Sequence, residues 1–241
     1  MDKKYKFLII GLFIYLAIML LILYIININN VEILISPNIS IKYEAKKYKK
    51  IEFNSNLRYN IYVDNNFVSN DLLIKDDYTF YLNNEVIKNM ISISNNKAKI
   101  IPYNKEELIN TEFEKVLSDL NITKYHDMTI AVKILIDYDN DKDLEEINVI
   151  SNVFVDPFME DIDDDKFSII YTVDNNETNI IYNKKFSSDM KGCLLSEPYI
   201  IDLNKDNKYE IITTCSYFDA LGTKVQIFEQ KKNKYNLVKE L

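Results

Sequence analysis

A mainly β, antiparallel chain carrying one N-terminal transmembrane helix and one amphipathic helix is what three observations predict. Phe7 to Ile26 is an unbroken apolar run without a charge. Short stretches of period-two alternation fill most of the remainder, separated by Asn-rich turns. An acidic nine-residue loop between two apolar strand-like runs occurs twice.

Residues 1–27 form the first segment. At helical rise the apolar run is long enough for a hydrocarbon core of ~30 Å. Lys3, Lys4 and Lys6 crowd its N-terminal side, whereas the first lysine beyond it is Lys42, which predicts an N-terminus in the cytoplasm and a single-pass cell-membrane protein with its C-terminal part outside. A cleaved signal peptide fits less well, because the run exceeds the usual apolar region of ~7–15 residues and no small-x-small site follows.

Residues 28–128 are expected to hold a stalk, to about residue 58, and a β-rich region. Lys42, Lys46, Lys47, Lys49 and Lys50 make a basic patch there, relieved by Glu44. Tyr59, Ile61 and Val63 alternate with polar or aromatic residues, Tyr78 to Leu82 is aromatic-rich, and Ile91 alternates with Ile93. Asp64-Asn65-Asn66, Asn83-Asn84 and Asn95-Asn96 supply turns where asparagine replaces the scarce glycine. A helix is expected near 105–120, capped by Asn104 with Glu107, its apolar stripe being Ile109, Phe113, Val116, Leu117 and Leu120.

Residues 129–241 fall into two similar units, each of four short strands with an acidic loop between the first and second. The loops are Asp137-Tyr138-Asp139-Asn140-Asp141-Lys142-Asp143-Leu144-Glu145 and Asp202-Leu203-Asn204-Lys205-Asp206-Asn207-Lys208-Tyr209-Glu210. Oxygen side chains at positions 1, 3, 5 and 9 can surround a hard cation that takes six to eight oxygens, which points to Ca²⁺. An EF-hand is excluded on two counts. Position 12 is Asn148 or Thr213 where a bidentate Glu is needed, and strands flank the loops where helices should. A solvated acidic turn is the plainer alternative. A third run, Asp161, Asp163 and Asp165, has Ile169 at position 9 and reads as a turn.

The second unit, with IIDLNKDNKYEII followed by TKVQIFEQKKNKYNLV, resembles an FG-GAP or VCBS-type calcium-loop β-propeller repeat. The resemblance implies propeller-blade-like units and, as ligands, the position 7 carbonyl beside the four side chains. Carried over, these are Asp202, Asn204, Asp206, Lys208 through its carbonyl, and Glu210, with Asp137, Asp139, Asp141, Asp143 through its carbonyl, and Glu145 in the first unit. Position 6, a turn glycine in that family, is Asn207 in one loop and Lys142 in the other. Asparagine enters the left-handed region more readily than lysine, so the Asp202 loop is the stronger site on sequence. A closed propeller needs ~4–8 blades, and two units cannot close one.

The net charge of −8 is concentrated: Asp137 to Glu146 holds six acids against one lysine. Such crowding favours cations and disfavours nucleic acid. Three glycines leave no material for a phosphate-binding loop or a nucleophile elbow, and a lone histidine, His126, makes neither a zinc site nor a triad. Cys193 and Cys215 fit either a bridge or, for Cys215, a small core residue. The reading is a membrane-anchored binding, adhesion or scaffolding module, not an enzyme, with a protein or glycan partner at the surface. A carbohydrate-active enzyme with a carboxylate pair and a sensory or regulatory ectodomain are the alternatives.

Overall fold

The computed structural model describes residues 3–28, 31–36, 39–44, 46–52, 59–63, 66–69, 73–74, 80–82, 85–86, 91–95, 103–125, 130–138, 141–153, 165–186, 192–217, 222–231 and 234–241. It opens with helix α1 (Lys3–Ile28). Its described side chains, those of residues 9–23, are exposed throughout. The expected membrane span over Phe7 to Ile26 is corrected here: among the described residues no helix is long and apolar enough to cross a membrane. The N-in topology rested on that span.

Residues expected to form a stalk instead make β1 (Val31–Ser36), β2 (Ile39–Glu44) and β3 (Lys47–Glu52), joined as successive antiparallel hairpins. β4 (Tyr59–Val63) and β5 (Asn66–Ser69) form another hairpin. β6 (Leu73–Ile74), β7 (Phe80–Leu82) and β8 (Glu85–Val86) make a small separate sheet. β9 (Ile91–Asn95) then inserts between β1 and β4, giving a six-stranded sheet in the order β3-β2-β1-β9-β4-β5.

β10 (Asn104–Glu107) corrects a second expectation, because Asn104 does not cap a helix. The segment pairs along the edge of the later strand residues 130–136, from Asn104 opposite Leu135 to Glu107 opposite Val132. That edge satisfies the backbone groups of a charged tetrapeptide with no apolar face of its own. α2 (Asn110–Asp119) starts later, and the Glu112 carboxylate accepts the Ile109 N–H at 3.0 Å. Phe113, Val116 and Leu117 are buried as the stripe requires, but Ile109 is 59% exposed because it precedes the first turn. Burying a side chain such as Phe113 contributes about 1.5–3 kcal/mol. A Lys133–Glu112 ion pair ties α2 to the sheet beneath.

β11 (Ile130–Ile136), β12 (Glu145–Asn152), β13 (Lys166–Asp174) and β14 (Glu177–Phe186) form an antiparallel meander with β10 at its edge. Asn175 and Asn176 both take positive φ, 48° and 63°, between the paired residues Asp174 and Glu177. This two-residue turn matches the strand twist and needs asparagine or glycine. The second sheet contains β15 (Cys193–Leu195), β16 (Tyr199–Ile201), β17 (Glu210–Tyr217), β18 (Thr223–Lys231) and β19 (Lys234–Glu240). β15 and β16 both pair with β17, with a one-residue change of register between Leu195–Cys215 and Tyr199–Ile212. In both sheets the hairpin between the last two strands carries one bulge. The turn at Lys232-Asn233 and His126 lie outside the described residues.

Alternating side chains send each central strand into two cores. Ile147 and Val149 of the first sheet face Ile211, Cys215 and Phe228 of the second. On the far side of the first sheet, Ile150, Phe167, Ile169 and Tyr171 pack against α2. On the far side of the second, Ile201, Ile212, Val225 and Ile227 pack against Ile33 of β1 and Ile41 of β2. The result is a stack of helix, sheet, sheet and N-terminal sheet, with hydrophobic burial on both faces of the two middle layers.

Cys193 and Cys215 form a disulfide with 5.3 Å between Cα atoms, linking β15 to β17 inside the core shared by the two sheets. The residue before it, Gly192, has φ +88°, and a Cβ there would meet Val153 Cγ1 at 2.6 Å. Gly192→Ala should therefore lower unfolding stability by about 2 kcal/mol, through backbone strain and displacement of Val153. A denaturant midpoint equal to that of the parent would rule this out.

Candidate metal centre

Each acidic loop bridges the first two strands of its meander. The hairpin mouths close identically, with Ile136 opposite Glu145 in one and Ile201 opposite Glu210 in the other. Inside the first loop, the Asp137 carboxylate accepts the N–H of Asp141 and of Lys142, both at 3.1 Å. Asp202 does the same for Asp206 and Asn207, again at 3.1 Å each. Asp141 Oδ1 accepts the Asp143 N–H at 2.9 Å, and Asp206 Oδ1 accepts that of Lys208 at 2.9 Å. One scaffold is thus built twice from acids at positions 1 and 5, because short carboxylates accept nearby backbone N–H groups well.

Position 9 completes the scaffold from the strand. Glu145 and Glu210 are 2% and 1% exposed. Glu145 Oε2 accepts the Tyr138 N–H at 2.8 Å, and Glu210 Oε2 accepts the Leu203 N–H at 2.6 Å. Sequence reasoning missed this role of position 2. The signal was the apolar residue there, Tyr138 or Leu203, in an otherwise polar run. Each is a plug: Tyr138 packs edge-on to Tyr235 of the second sheet at 5.3 Å, and Leu203 joins the core under the N-terminal sheet.

One ligand atom each from Asp137, Asp141 and Glu145 lies within 4.8 Å of the others, so the first loop can hold a metal ion. This is the one acidic group of that spacing among the described residues. Asp139 lies outside the described residues; Asp143 is exposed and uses its N–H on Asp141. In the second loop Asn204 Oδ1 accepts the Asp206 N–H at 2.9 Å, and Lys208 is exposed. Of the third acidic run, Asp161 and Asp163 lie outside the described residues. Asp165 ties down the segment after α2 by accepting the N–H of Thr123 and Lys124 at 3.1 and 3.3 Å.

The expectation that Lys142 would resist the turn is not met. Its φ is 83°, and Asn207 has φ 63° at the matching place. Three hydrogen bonds to Asp137 and Asp141 oxygens on either side impose the left-handed backbone on a residue that disfavours it. Lys142→Gly should consequently raise stability by about 1 kcal/mol. An unchanged or lower denaturant midpoint would show that the loop carries no such strain.

Without a counter-charge the second loop holds its acids reluctantly. Burial pushes the Glu210 carboxyl up to about 8, helped by the charges of Asp202 and Asp206 and opposed by the Leu203 N–H and the Tyr48 hydroxyl. Burial also raises Asp202, against hydrogen bonds from the Asn207, Lys205 and Asp206 N–H groups. Crowded, half-desolvated carboxylates of this kind favour a cation between them. Comparison with family models, curated proteins and solved structures finds no match for the chain.

Proposed function

We propose that the two loops are Ca²⁺ sites and that the chain is a cation-stabilised β-repeat module serving binding or scaffolding. The observation that carries this is the gathering of Asp137, Asp141 and Glu145 donor atoms within 4.8 Å on a scaffold the second loop repeats. Asp137, Asp139, Asp141 and Glu145, with the Asp143 carbonyl, would hold one ion. Asp202, Asn204, Asp206 and Glu210, with the Lys208 carbonyl, would hold the other. A carboxylate oxygen that accepts one N–H keeps a second lone-pair direction, so the scaffold bonds and ligation are compatible. All-oxygen ligands of mixed charge suit Ca²⁺ better than zinc or copper, which select nitrogen and sulfur.

The layout supports a module more than a catalyst. The acids sit at hairpin ends and take backbone N–H groups, a structural use of carboxylates. The resemblance to calcium-loop propeller repeats favours the same reading, as does a four-strand meander with its loop after the first strand. The buried Cys193–Cys215 bond supports residence in an oxidising compartment outside the cytoplasm. A surface protein or glycan is the partner class this reading implies.

Calorimetric titration of the purified chain with Ca²⁺ tests it, and absence of heat and uptake would sink it. The titration should also be pH-dependent. Because folding raises the Glu210 carboxyl from its ordinary 4.5 to about 8, its contribution to ion-free stability is full below about pH 4.5 and is lost as pH rises through about 8. Below about pH 8 the cation must displace that proton. Binding at about pH 6.5 should release close to one proton at the second loop, read from the dependence of the heat on buffer ionisation. A heat independent of buffer would show that Glu210 is already charged.

A further inference from the structure

The two loops differ in what covers them. Tyr138 anchors the first loop to the neighbouring repeat, whereas the second loop is covered by the N-terminal hairpin. Ile41 of β2 is fully buried against the core that contains Leu203, and Ile33 of β1 joins it. Tyr43 and Tyr48, paired across the hairpin, pack with ring centroids 5.0 Å apart and lie on the same core. The Tyr48 hydroxyl donates to Glu229 Oε1 of β18 at 2.8 Å, and Lys50 reaches the Thr223 carbonyl at 3.3 Å. The hairpin thereby covers Leu203, the second residue of the loop, whose N–H the Glu210 carboxylate accepts at 2.6 Å.

We propose that Tyr48 is a positioning residue for the second loop, so that docking of the N-terminal hairpin onto β18 builds the Asp202–Glu210 site and the first loop stands independent of it. Tyr48 anchors the hairpin to β18 through Glu229, and the anchored hairpin holds Leu203 in the core, where its N–H meets the Glu210 carboxylate. Glu210 is a side chain that the cation reading, on which one arm of this proposal rests, assigns as a ligand. Linkage makes the effect reciprocal, and an ion in the second loop favours the docked hairpin by the factor that docking favours the ion. The chain then has one site that is always formed and one that reports whether its N-terminal sheet is seated.

The repeat supplies its own control. Tyr48→Phe keeps the ring in the core and removes only the hydroxyl. Amide hydrogen exchange should become about tenfold faster at Leu203, Asp206, Asn207 and Lys208, the amides held inside the second loop, corresponding to loss of about one hydrogen bond. The matching amides of Tyr138, Asp141, Lys142 and Asp143 should not change. Equal acceleration in both loops, or none in either, would overturn the proposal. Ile41→Ala, which loosens the hairpin by a different route, should give the same one-sided pattern. With Ca²⁺ as the probe, Tyr48→Phe should weaken one of two sites about tenfold and spare the other. If the parent chain takes up no Ca²⁺, the cation reading fails by itself, and the exchange comparison still decides whether the hairpin builds the loop.

Discussion

Saturating the proposed sites with Ca²⁺ should stabilise the chain by about 2.7 kcal/mol per site at about 100 times the dissociation constant, because an ion held by the folded loop would not be held by the unfolded chain. For a chain of this size each such step moves the melting temperature up by roughly 5–10 °C. Asp141→Ala and Asp206→Ala should each abolish one step. Each removes the position 5 carboxylate and also the acceptor for the N–H of position 7. Glu177→Ala, at an exposed acid of the Asn175-Asn176 turn, should leave both steps intact. Equal losses from all three would mean diffuse acidic attraction, and a melting temperature indifferent to chelator would reduce both loops to acidic turns. Lys142 bears on the ranking of the sites. The scaffold holds it at φ 83°, but Lys205 takes φ 62° in the second loop, so both loops carry left-handed strain at a lysine and the first keeps the larger count of acids. Sequence reasoning placed the second loop ahead because of Asn207; the carboxylate triad that the structure gathers is in the first.

Local chemistry explains what was legible. Apolar runs mark β12 and β17 because both strands lie between two covered faces, and Asn175-Asn176 announces its turn because asparagine tolerates positive φ. The acidic loops are readable because the bonds that shape them run between residues two to seven apart. What could not be read depends on partners far along the chain. Asn104 to Glu107 look like a helix start, yet the vacant edge of β11, some thirty residues later, pairs them as a strand. Residues 28–58 look like a stalk because lysines crowd them. Ile33 and Ile41 find their core only far along the chain, on β16, β17, β18 and Leu203, and Lys47, Lys49 and Lys50 end up on β3, a sheet edge where charge discourages further pairing. The apolar run at the N-terminus shows the converse, since composition alone suggested a span that the described part of α1 does not meet.

Removing the Cys193–Cys215 bond should have the larger single effect on stability among covalent changes. The cysteines are separated by 22 residues, and closing a loop of that size removes unfolded-chain entropy worth about 3 kcal/mol at room temperature. The bond also does local work, because β15 pairs with only three residues of β17 and the register shifts before β16 begins. Without the cross-link β15 would be held by that three-residue pairing, the burial of Leu195 and the Ser168 hydroxyl bond to the Cys193 carbonyl. The paired variant Cys193→Ala with Cys215→Ala should melt roughly 6–12 °C below the parent under non-reducing conditions. Because both sulfurs are fully buried, reductant alone should act slowly on the folded chain and quickly in denaturant. Free-thiol titration in denaturant separates the outcomes: no titratable thiol confirms the bond, whereas two thiols per chain, with an alanine pair as stable as the parent, would mean that Cys193 and Cys215 serve the core as small apolar residues.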